Sequence, residues 1–484
     1  MPPRIDLIHV LAVASEVFPL VKTGGLADVV GALPEALAHE KVAVHTLIPG
    51  YRSVMADFAG AQAVLDYASL FGGPARIRSA RVHGLDLLVL DAPHLFDRDG
   101  GPYADWRGLD FADNAFRFAA LCRAGADIAW GKAKSFVPDL VHCHDWQAGL
   151  LPAYLHFAAQ AAPPTVMTVH NMAFQGQFGV TCDSLGLPWH AWSIEGVESY
   201  GRVGYLKAGL QLADRITTVS PTYAEEIRTP GGGMGLDGLL RYRAHALSGI
   251  LNGIDDRVWN PAADPHLPAP FDARRRAARE ASRTALRAHF GIASGGPLFG
   301  MVSRLTWQKG VDLVLENLPV LLGTGAHLVA LGSGDPAFER ALAEAARQHR
   351  GRVGVHVGYD EALAHLVQGG ADAMLVPSRF EPCGLTQMCA LRYGALPVVS
   401  RVGGLADTVH DAGDPARPSS EATGISFTPV DTRGLADAIA RTVALWSAPA
   451  KWKRIQARAM EVDVSWKASA KRYAELFRAL SGKR

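Results

Sequence analysis

The alternation of short β-branched runs with longer helical patterns is the feature that most restricts how this chain folds, because it is typical of parallel sheets covered by helices. In the first half the candidate strands are LIHVLAVAS, AVHTLIPG, LDLLVLD, DLVHCHD, TVMTVHN and RITTVS. In the second half they are PLFGMVSR, AHLVALGSG, VGVHVG, DAMLVPS and LPVVS. The sequence therefore predicts an α/β fold with two Rossmann-like, doubly wound domains.

A stretch rich in Pro, Ala and Arg separates the two halves, between about Asp256 and Gly296. A chain of 484 residues is too long for one ordinary core, since a typical domain has about 150 residues. We therefore predict an N-terminal domain over 1–255 and a C-terminal domain over 256–484, the second ending in amphipathic helices from Trp452 onward. In the first predicted helix, Pro34 is expected to kink the helix or to end its first segment.

Composition and charge argue against several classes of protein. The 48 Lys and Arg residues nearly balance the 47 Asp and Glu residues, so the overall charge gives no reason to expect a nucleic acid or a membrane as partner. The five cysteines are scattered and include no C-x-x-C pair, which argues against a disulfide framework and a zinc site. No stretch reaches the roughly 18 to 20 apolar residues of a membrane helix. We expect a cytoplasmic protein.

The segment KTGGLADVVGALP follows the first predicted strand. Gly24 and Gly25 would let the backbone approach a phosphate, the following helix offers free N–H groups, and Lys22 adds a positive charge. The alternative is a Gly-Gly turn beside a solvated lysine. Neither G-x-x-x-x-G-K-[ST] nor G-x-G-x-x-G occurs after this strand, which weakens the NTPase and dinucleotide-binding interpretations.

Charged residues also follow predicted strands of the second domain. Arg304 is the last residue of the predicted strand segment PLFGMVSR and Lys309 follows it, and two cations at the carboxyl end of a strand can converge on a diphosphate. The alternative for this pair is ordinary surface charge. Glu381 lies in a turn before a helix, where it would bind sugar hydroxyls or simply be a favourable helix-start carboxylate. The first N–H groups of that helix, which could face a phosphate, belong to Gly384, Leu385 and Thr386.

Polar residues at strand ends of the first domain suggest a sugar site. His142, His144 and His170 together with Asp145 could suggest a metal cluster, but their spacing matches no standard zinc signature. Asp145 and His170 are better interpreted as hydrogen-bonding sugar hydroxyls. Trp146 offers a flat apolar face to a pyranose ring, and core packing is its alternative role. We therefore expect no metal site.

Taken together, six segments resemble those of bacterial glycogen synthases, the relatives of plant starch synthases. They are KTGGLADVVGALP, HDWQAGLLP, TVHNMAFQG, ILNGID, SRLTWQKGVDL and PSRFEPCGLTQ, the last followed by VGGLADTV. The resemblance extends from about Val10 to the last helices. It implies a GT-B fold with a central cleft, ADP-glucose as donor, a 1,4-α-glucan as acceptor, retention of anomeric configuration and no requirement for a metal or another cofactor.

The resemblance also implies roles for individual residues. The residues that it places in catalysis are His170, Glu381, Asp145, Arg304 and Lys309. The residues that it places against ADP-glucose are Lys22, Gly24, Gly25, Asn171, Asn252, Tyr359, Cys383, Gly384, Leu385 and Thr386. The residues that it places in the cleft, on the acceptor side, are Asp28, Tyr103 and Trp146.

Within these sets, Arg304 and Lys309 would hold the diphosphate and Glu381 would bind the donor sugar. His170 would lie near the anomeric and 6-hydroxyl side of that sugar, and Tyr359 would flank the adenine. One position departs from the family, because Gln147 stands after HDW where the family often has histidine. That departure puts one contact in doubt, and the reaction is expected to be the same.

Three other interpretations of the sequence remain open at this point. The first is a related enzyme with a different donor, such as UDP-glucose, or a starch synthase proper. The second is a glucan-binding protein that has lost catalysis, although such a protein would not need cations for a diphosphate. The third is a Rossmann oxidoreductase, which the missing glycine fingerprint disfavours. Glucan chain-length preference and oligomeric state are not predicted.

Overall fold

The computed structural model describes residues 6–133 and 136–483, which form two compact units. Unit 1 runs to Asn252 and resumes at Trp466, and unit 2 is Gly253–Ser465. The sequence placed the change of domain between residues 255 and 256 and assigned the whole tail to the second domain. The last helix instead belongs to unit 1, so that assignment is wrong for residues from Trp466 onward.

Unit 1 contains a nine-stranded sheet and a separate three-stranded sheet among its described residues. Its strands are β1 (Ile8–Val13), β2 (Val42–Pro49), β3 (Gln62–Leu70), β4 (Gly73–Val82), β5 (Leu85–Asp91), β6 (Leu140–His144), β7 (Thr165–Val169), β8 (Gln177–Phe178), β9 (Glu198–Ser199), β10 (Arg202–Gly204), β11 (Arg215–Thr218) and β12 (Leu247–Gly249). Its helices before residue 252 are α1 (Gly25–Ala38), α2 (Arg52–Met55), α3 (Pro93–Phe96), α4 (Asn114–Ala129), α5 (Leu151–Phe157), α6 (Tyr205–Leu212), α7 (Pro221–Glu226), α8 (Pro230–Gly233) and α9 (Asp237–Tyr242).

The large sheet has the strand order β12-β11-β7-β6-β1-β2-β5-β4-β3. All of its pairings from β12 to β5 are parallel. The chain adds β2 and β5 on one side of β1, and then β6, β7, β11 and β12 on the other side. The order therefore reverses between β1 and β6, and in doubly wound sheets ligands bind at the carboxyl ends of the strands that flank such a reversal.

Two parts of unit 1 were not predicted from the sequence. The strands β3 and β4 form an antiparallel hairpin that extends the sheet beyond β5, and their half-exposed, charge-rich sequences lack the apolar runs of the parallel strands. The small sheet β8-β10-β9 lies in the segment between β7 and α6. The helix α1 runs through Pro34 to Ala38, so Pro34 does not end it.

Unit 2 contains a six-stranded, all-parallel sheet with the order β15-β14-β13-β16-β17-β18. Its strands are β13 (Leu298–Val302), β14 (His327–Gly332), β15 (Val353–Val357), β16 (Ala373–Val376), β17 (Leu396–Ser400) and β18 (Ile425–Phe427). Its helices are α10 (Arg279–Phe290), α11 (Val311–Glu316), α12 (Leu318–Gly323), α13 (Pro336–Gln348), α14 (Glu361–Gly370), α15 (Thr386–Tyr393), α16 (Gly403–Thr408), α17 (Thr432–Trp446) and α18 (Pro449–Glu461). This is the Rossmann strand order, and it reverses between β13 and β16.

Local chemistry explains where several helices of unit 2 begin. The side chains of Asp335, Asp360 and Asp431 each accept a hydrogen bond from a backbone N–H in the first turn of α13, α14 and α17, which satisfies a donor that the helix itself leaves unpaired. The predicted single helix GVDLVLENLPVLL is instead two helices, α11 and α12, because Pro319 near the start of α12 has no N–H to continue α11.

The last helix, α19 (Lys467–Ser481), packs on unit 1. Trp466, Tyr473 and Phe477 are buried in one core cluster with Ile8 and Leu33. The apolar face of α19 thus covers β1 and α1, and this burial explains why the tail belongs to unit 1. Within the described ranges, no helix is long and apolar enough to cross a membrane.

Candidate functional site

The candidate site of unit 2 lies at the carboxyl ends of β13 and β16, where the strand order reverses. A pocket opens at this edge of the sheet, and its lining comes from the ends of these two strands and from the turn before α15. The lining residues are Met301, Val302, Ser303, Lys309, Leu375, Val376, Pro377, Ser378, Glu381, Gly384, Leu385, Thr386 and Gln387. Five residues that the sequence predicted as functional therefore lie around a single pocket.

An ion pair between Lys309 and Glu381 closes one wall of this pocket. The Lys309 Nζ lies 2.5 Å from the Glu381 Oε2, and their side chains are only 18% and 8% exposed. Ser378 also donates a hydrogen bond of 2.8 Å to the same oxygen. A buried carboxylate held by a cation and a hydroxyl has a fixed position, so Glu381 is preorganised to accept hydrogen bonds from a ligand through its other oxygen.

The turn between Glu381 and α15 is held by a residue that the sequence did not single out. The Gln387 side-chain amide donates to the carbonyls of Cys383 and Gly384 at 3.0 and 2.9 Å. Gly384 has a φ of +74°, in the left-handed region that glycine tolerates best. Helix α15 begins at Thr386, and its N-cap residue makes no side-chain cap hydrogen bond among the described residues, so its first N–H groups are open to an anion.

A second unpredicted feature supports the same turn from α16. The Gly404 N–H donates to the carbonyls of Glu381 and Pro382 at 3.0 and 3.2 Å. A Cβ on Gly404 would stand 2.3 Å from the Cys383 carbonyl oxygen, so only glycine permits this close approach. The segment VGGLADTV was part of the family resemblance, but nothing in the sequence itself indicated this contact.

The two cations predicted to hold a diphosphate differ in their surroundings. Arg304 is exposed, and within the described ranges its guanidinium has no ion-pair or hydrogen-bond partner. The neighbouring loop is fixed by Arg379, which the sequence did not single out and which makes a bidentate pair with Asp312 at 2.8 and 2.7 Å. Arg379 also stacks over the Trp307 ring at 4.3 Å. Arg304 thus lies on a loop that Arg379 restrains, and no described carboxylate neutralises its charge.

Tyr359, predicted to flank adenine, lies on the loop after β15 and is 77% exposed. Its hydroxyl donates to the Glu361 carboxylate. Because β15 is the third strand from the reversal point, Tyr359 is at the same edge of the sheet as the pocket but does not line it. Its role stays a prediction.

In unit 1, the KTGG segment forms the loop between β1 and α1. The Lys22 Nζ lies 2.7 Å from the Asp28 Oδ1 in the first turn of α1, and both side chains remain partly exposed. Around Gly24 and Gly25, no heavy atom of the described residues stands within 4 Å of where a Cβ would be. In the part of the chain that the structure describes, helix α1 begins at Gly25 without a side-chain cap, so an open surface of backbone N–H groups lies beside Lys22.

A carboxylate that the sequence did not single out lies under this loop. Glu16 is 2% exposed and accepts hydrogen bonds of 2.5 Å from both the N–H and the hydroxyl of Thr23. Tyr103 also donates to it and is 2.8 Å from the Ser15 hydroxyl. The position of Glu16, three residues after β1 ends, is the signal that could have identified it, since acidic residues at strand ends of such sheets often face the site.

At the ends of β6 and β7, Asp145 and His170 lie together as the sequence predicted. The Asp145 Oδ1 accepts a hydrogen bond of 2.7 Å from the His170 N–H, and the His170 Nε2 is 3.0 Å from the His144 Nδ1. Burial lowers the pKa of His170 to about 3, so its imidazole is neutral at physiological pH. A neutral imidazole can donate a hydrogen bond to a hydroxyl or accept one from it, but it contributes no positive charge to the site.

Asp145 has an unusual protonation equilibrium. Loss of solvent raises the pKa of its carboxyl to about 7, although the N–H groups of His170 and Asn171 favour the ionised form. Its backbone φ of +55° is uncommon for a residue other than glycine. Perturbed pKa values and unusual backbone geometry concentrate at functional sites, which supports the prediction that Asp145 takes part in the reaction.

We expect Asp145→Asn to remove a pH dependence of stability. Because the pKa of Asp145 is about 7 in the folded state and near 3.8 ordinarily, the folded chain binds more protons between those values, and its stability falls as the pH rises through this window. Between pH 5 and pH 8 the variant should therefore gain on the order of 1 to 3 kcal/mol relative to the unsubstituted protein in urea unfolding. Parallel pH profiles for the two proteins would contradict this assignment.

Trp146 does not present an open ring face. It is 8% exposed, and its ring packs against Phe118, Phe178 and Tyr205 with centroids 4.8 to 6.2 Å apart. A Cβ on Gly176 would stand 2.3 Å from the indole. The packing of this ring fits the alternative role in the core, and a role of Trp146 beside a sugar stays a prediction.

Three other predicted or noted positions are polar residues near strand ends of unit 1, of which Gln147 and Asn252 are buried and Asn171 is partly exposed. Asn171 accepts a hydrogen bond of 3.0 Å from the Ala173 N–H, which fixes the turn after β7. The side-chain carbonyls of Gln147 and Asn252 are buried and have no partner within the described residues. An unsatisfied buried oxygen is costly unless a ligand or water reaches it, so Gln147 and Asn252 fit a polar site. Gln147 is the position where the family often has histidine.

The histidines at the ends of β6 and β7 are engaged with neighbouring side chains. The His142 Nε2 is 2.6 Å from the Thr168 hydroxyl, and His144 is committed to His170. In the parts of the chain that the structure describes, no group of three His, Cys, Asp or Glu side chains is arranged to hold a metal ion.

Comparison with known proteins agrees with this architecture. The starch synthase catalytic domain family matches residues 9–242, and the glycosyl transferases group 1 family matches residues 282–458. The glycogen synthase of Rhodopseudomonas palustris strain BisB18 is 56% identical over 98% of this chain and 97% of its own length. The glycogen synthase of Acidiphilium cryptum strain JF-5 is 57% identical over 98% of this chain and 100% of its own length.

Among solved structures, the catalytic domain of starch synthase IV from Arabidopsis thaliana, bound to ADP and acarbose, is similar with a TM-score of 0.87 and 33% identity over 98% of this chain and 100% of that chain. The two Rossmann-like units and their strand-end sites define a glycosyltransferase of the GT-B class. Given full-length relatives at this level of identity, the chain belongs to the glycogen synthase family.

Proposed function

We propose that this glycosyltransferase transfers glucose from ADP-glucose to the non-reducing end of a 1,4-α-glucan with retention of configuration, and so elongates glycogen. The observation that carries the proposal is the pocket at the reversal point of unit 2, where Lys309, Glu381 and the uncapped start of α15 meet. The Arabidopsis relative binds ADP and acarbose, a nucleotide and a glucan mimic, which supports this choice of donor and acceptor.

The chemical demand of this reaction is to stabilise the departing nucleoside diphosphate. ADP leaves the sugar with several negative charges, so the bond breaks readily only where cations and N–H dipoles already surround the phosphates. Lys309 and the first N–H groups of α15 supply such groups at the pocket of unit 2, and Arg304, which does not line that pocket, would add a second cation from the neighbouring loop. Each charge-assisted hydrogen bond is worth roughly 1.5 to 3 kcal/mol, and together they would favour departure of ADP.

The donor sugar needs protein groups that form hydrogen bonds with its hydroxyls and that add no net charge to the site. Glu381, fixed by Lys309 and Ser378, would accept hydrogen bonds from hydroxyls of the donor glucose. On unit 1, the neutral imidazole of His170 and the carboxyl of Asp145 would bind sugar hydroxyls in the same way. Lys22 and the open backbone at Gly24 remain the proposed anion contacts of that unit.

We also propose that the reaction needs no metal ion and takes place in the cytoplasm. A cation pair and helix N–H groups do the work that a divalent ion does where phosphates are bound by carboxylates. The mixture of one buried lysine, one exposed arginine and an uncapped helix start in unit 2 supports this interpretation.

The test is to incubate the purified protein with radiolabelled ADP-glucose, glycogen and EDTA. We expect label in the precipitated polymer, released as glucose by an α-1,4-specific glucosidase. A parallel reaction with labelled UDP-glucose measures the preference for the base. Lys453→Ala, an exposed lysine of α18, serves as the matched control for substitutions at Lys309.

Each outcome of this assay bears on a different part of the proposal. Absence of label with either nucleotide would overturn the proposed transfer. Incorporation that appears only after magnesium or manganese is restored would overturn the metal-independent part. Faster incorporation from UDP-glucose would overturn the choice of donor while leaving the transfer intact.

A further inference from the structure

We infer that Glu16 is a positioning residue that fixes the loop carrying Lys22 and the start of α1; the inference rests on the proposed function for its kinetic consequence. Glu16 is buried at the carboxyl end of β1, where the strand order reverses. Neither the roles assigned above nor the family resemblance uses it. Its two oxygens accept hydrogen bonds from Thr23 and Tyr103.

The contacts of Thr23 determine where the neighbouring residues lie. The Thr23 N–H donates to the Glu16 Oε2 and its hydroxyl to the Glu16 Oε1, both at 2.5 Å. Thr23 stands directly between Lys22 and Gly24, so fixing both its backbone and its side chain restrains the residues on either side. The near end of the same loop is closed separately by paired backbone hydrogen bonds between Val17 and Val21. Glu16 therefore controls the far end, which is the end that bears the candidate anion contacts.

The carboxylate is itself supported from α4. The Asn114 side-chain amide donates to the Tyr103 carbonyl at 2.9 Å, and the Arg117 guanidinium donates to the Pro102 carbonyl at 2.9 Å. Arg117 is fully buried and is 2.6 Å from the Asn114 side-chain oxygen. Buried polar groups of this kind hold their partners in one arrangement, since breaking any bond leaves a group unsatisfied. A continuous set of hydrogen bonds thus runs from α4 through Tyr103 and Glu16 to Thr23.

Glu16 has three hydrogen-bond donors, which are the N–H and the hydroxyl of Thr23 and the hydroxyl of Tyr103. Two substitutions can therefore distinguish the effect of these hydrogen bonds from the effect of the negative charge. In Glu16→Gln, the amide oxygen can accept from the Thr23 N–H, while the amide NH₂ faces the hydroxyls of Thr23 and Tyr103. Hydroxyls accept as well as donate, so they can turn and keep both bonds. Glu16→Gln therefore preserves the arrangement without its negative charge, whereas Glu16→Ala removes every bond.

The first readout does not depend on catalysis. Hydrogen–deuterium exchange of the peptide spanning residues 17–28 is followed in the free protein. In Glu16→Ala the Thr23 amide should exchange at least about tenfold faster, because its acceptor is gone. In Glu16→Gln, and in a matched control at an exposed carboxylate of α19, Glu475→Ala, exchange should stay close to that of the unsubstituted protein. Unchanged exchange in Glu16→Ala would overturn the inference.

The second readout is the split between kcat and KM for glucose transfer. Displacement of Lys22 and the start of α1 should lower kcat/KM for ADP-glucose by roughly 10- to 30-fold in Glu16→Ala, with KM for glycogen nearly constant. Glu16→Gln should restore the rate to within about threefold, as expected when hydrogen bonds are kept. Equal kinetics for Glu16→Ala and the unsubstituted protein would overturn the positioning role.

These two readouts distinguish the inference from the proposed function. If the unsubstituted protein transfers no glucose, the proposed function fails, and the exchange experiment still decides whether Glu16 fixes the loop. If Glu16→Gln loses as much activity as Glu16→Ala while its exchange is normal, the charge matters rather than the position, and the inference is wrong.

Discussion

Lys309→Ala is expected to lower kcat for glucose transfer by about two orders of magnitude, the usual loss when a group that stabilises transition-state charge is removed. The ammonium group is only 2.5 Å from the Glu381 carboxylate and is mostly buried. In the proposed function it would serve two purposes, because it would offer a cation to the departing diphosphate while it neutralises the carboxylate that would bind the sugar. Initial rates at saturating ADP-glucose and glycogen measure the effect.

The removal of Lys309 also leaves Glu381 as a buried carboxylate without its cation, and breaking a buried pair is costly in itself. A loss of activity must therefore be separated from a loss of folding. Combining Lys309→Met with Glu381→Gln removes both charges together and should restore the melting temperature without restoring the rate. Arg304→Ala provides a further comparison, since this exposed arginine has no described ion-pair partner and its loss should slow the reaction at an unchanged melting temperature.

Lys453→Ala, on the exposed face of α18, should behave like the unsubstituted protein in both measurements. Full activity of Lys309→Ala would remove this lysine from the diphosphate role. Recovery of activity in the double variant would show instead that Lys309 acts only by neutralising Glu381.

The sequence could predict the parallel sheets and the position of the site for a single physical reason. Strands of a parallel sheet are covered on both faces, so they appear as apolar runs that end abruptly in polar residues. Asp145, His170 and Lys309 were predicted from that pattern. The structure places Asp145 directly after β6, His170 directly after β7 and Lys309 on the connection after β13. The strands β6 and β13 flank the reversals of strand order, and β7 is the neighbour of β6. What they bind remains a prediction.

The features that the sequence did not predict depend on contacts between distant segments. Helix α19 returns to cover β1 and α1 although more than four hundred residues separate them, and no local pattern specifies which sheet an amphipathic helix will cover. The same holds for Glu16, whose partner Tyr103 comes from a remote loop. The sequence left two roles open for Trp146, and it could not show that aromatic rings from separate elements, those of Phe118, Phe178 and Tyr205 among them, pack against it.

Gly404→Ala is expected to disable the enzyme although Gly404 is not itself among the residues proposed to contact the substrate. The added Cβ would stand 2.3 Å from the Cys383 carbonyl oxygen and 2.5 Å from the Cys383 Cα. These are backbone atoms, which cannot turn aside as a flexible side chain would. The turn between Glu381 and α15 must therefore move, at a cost of about 1 to 3 kcal/mol.

Because that turn carries both the Glu381 carboxylate and the first N–H groups of α15, a shift of about 1 Å is enough to lower kcat by up to 100-fold. Gly323→Ala is the matched control: Gly323 ends α12, and no described heavy atom lies within 4 Å of where its Cβ would stand. That variant should keep its rate and melting temperature. If Gly404→Ala instead turned over ADP-glucose as fast as Gly323→Ala, the tight contact between α16 and the Glu381 turn would not govern the geometry of the site.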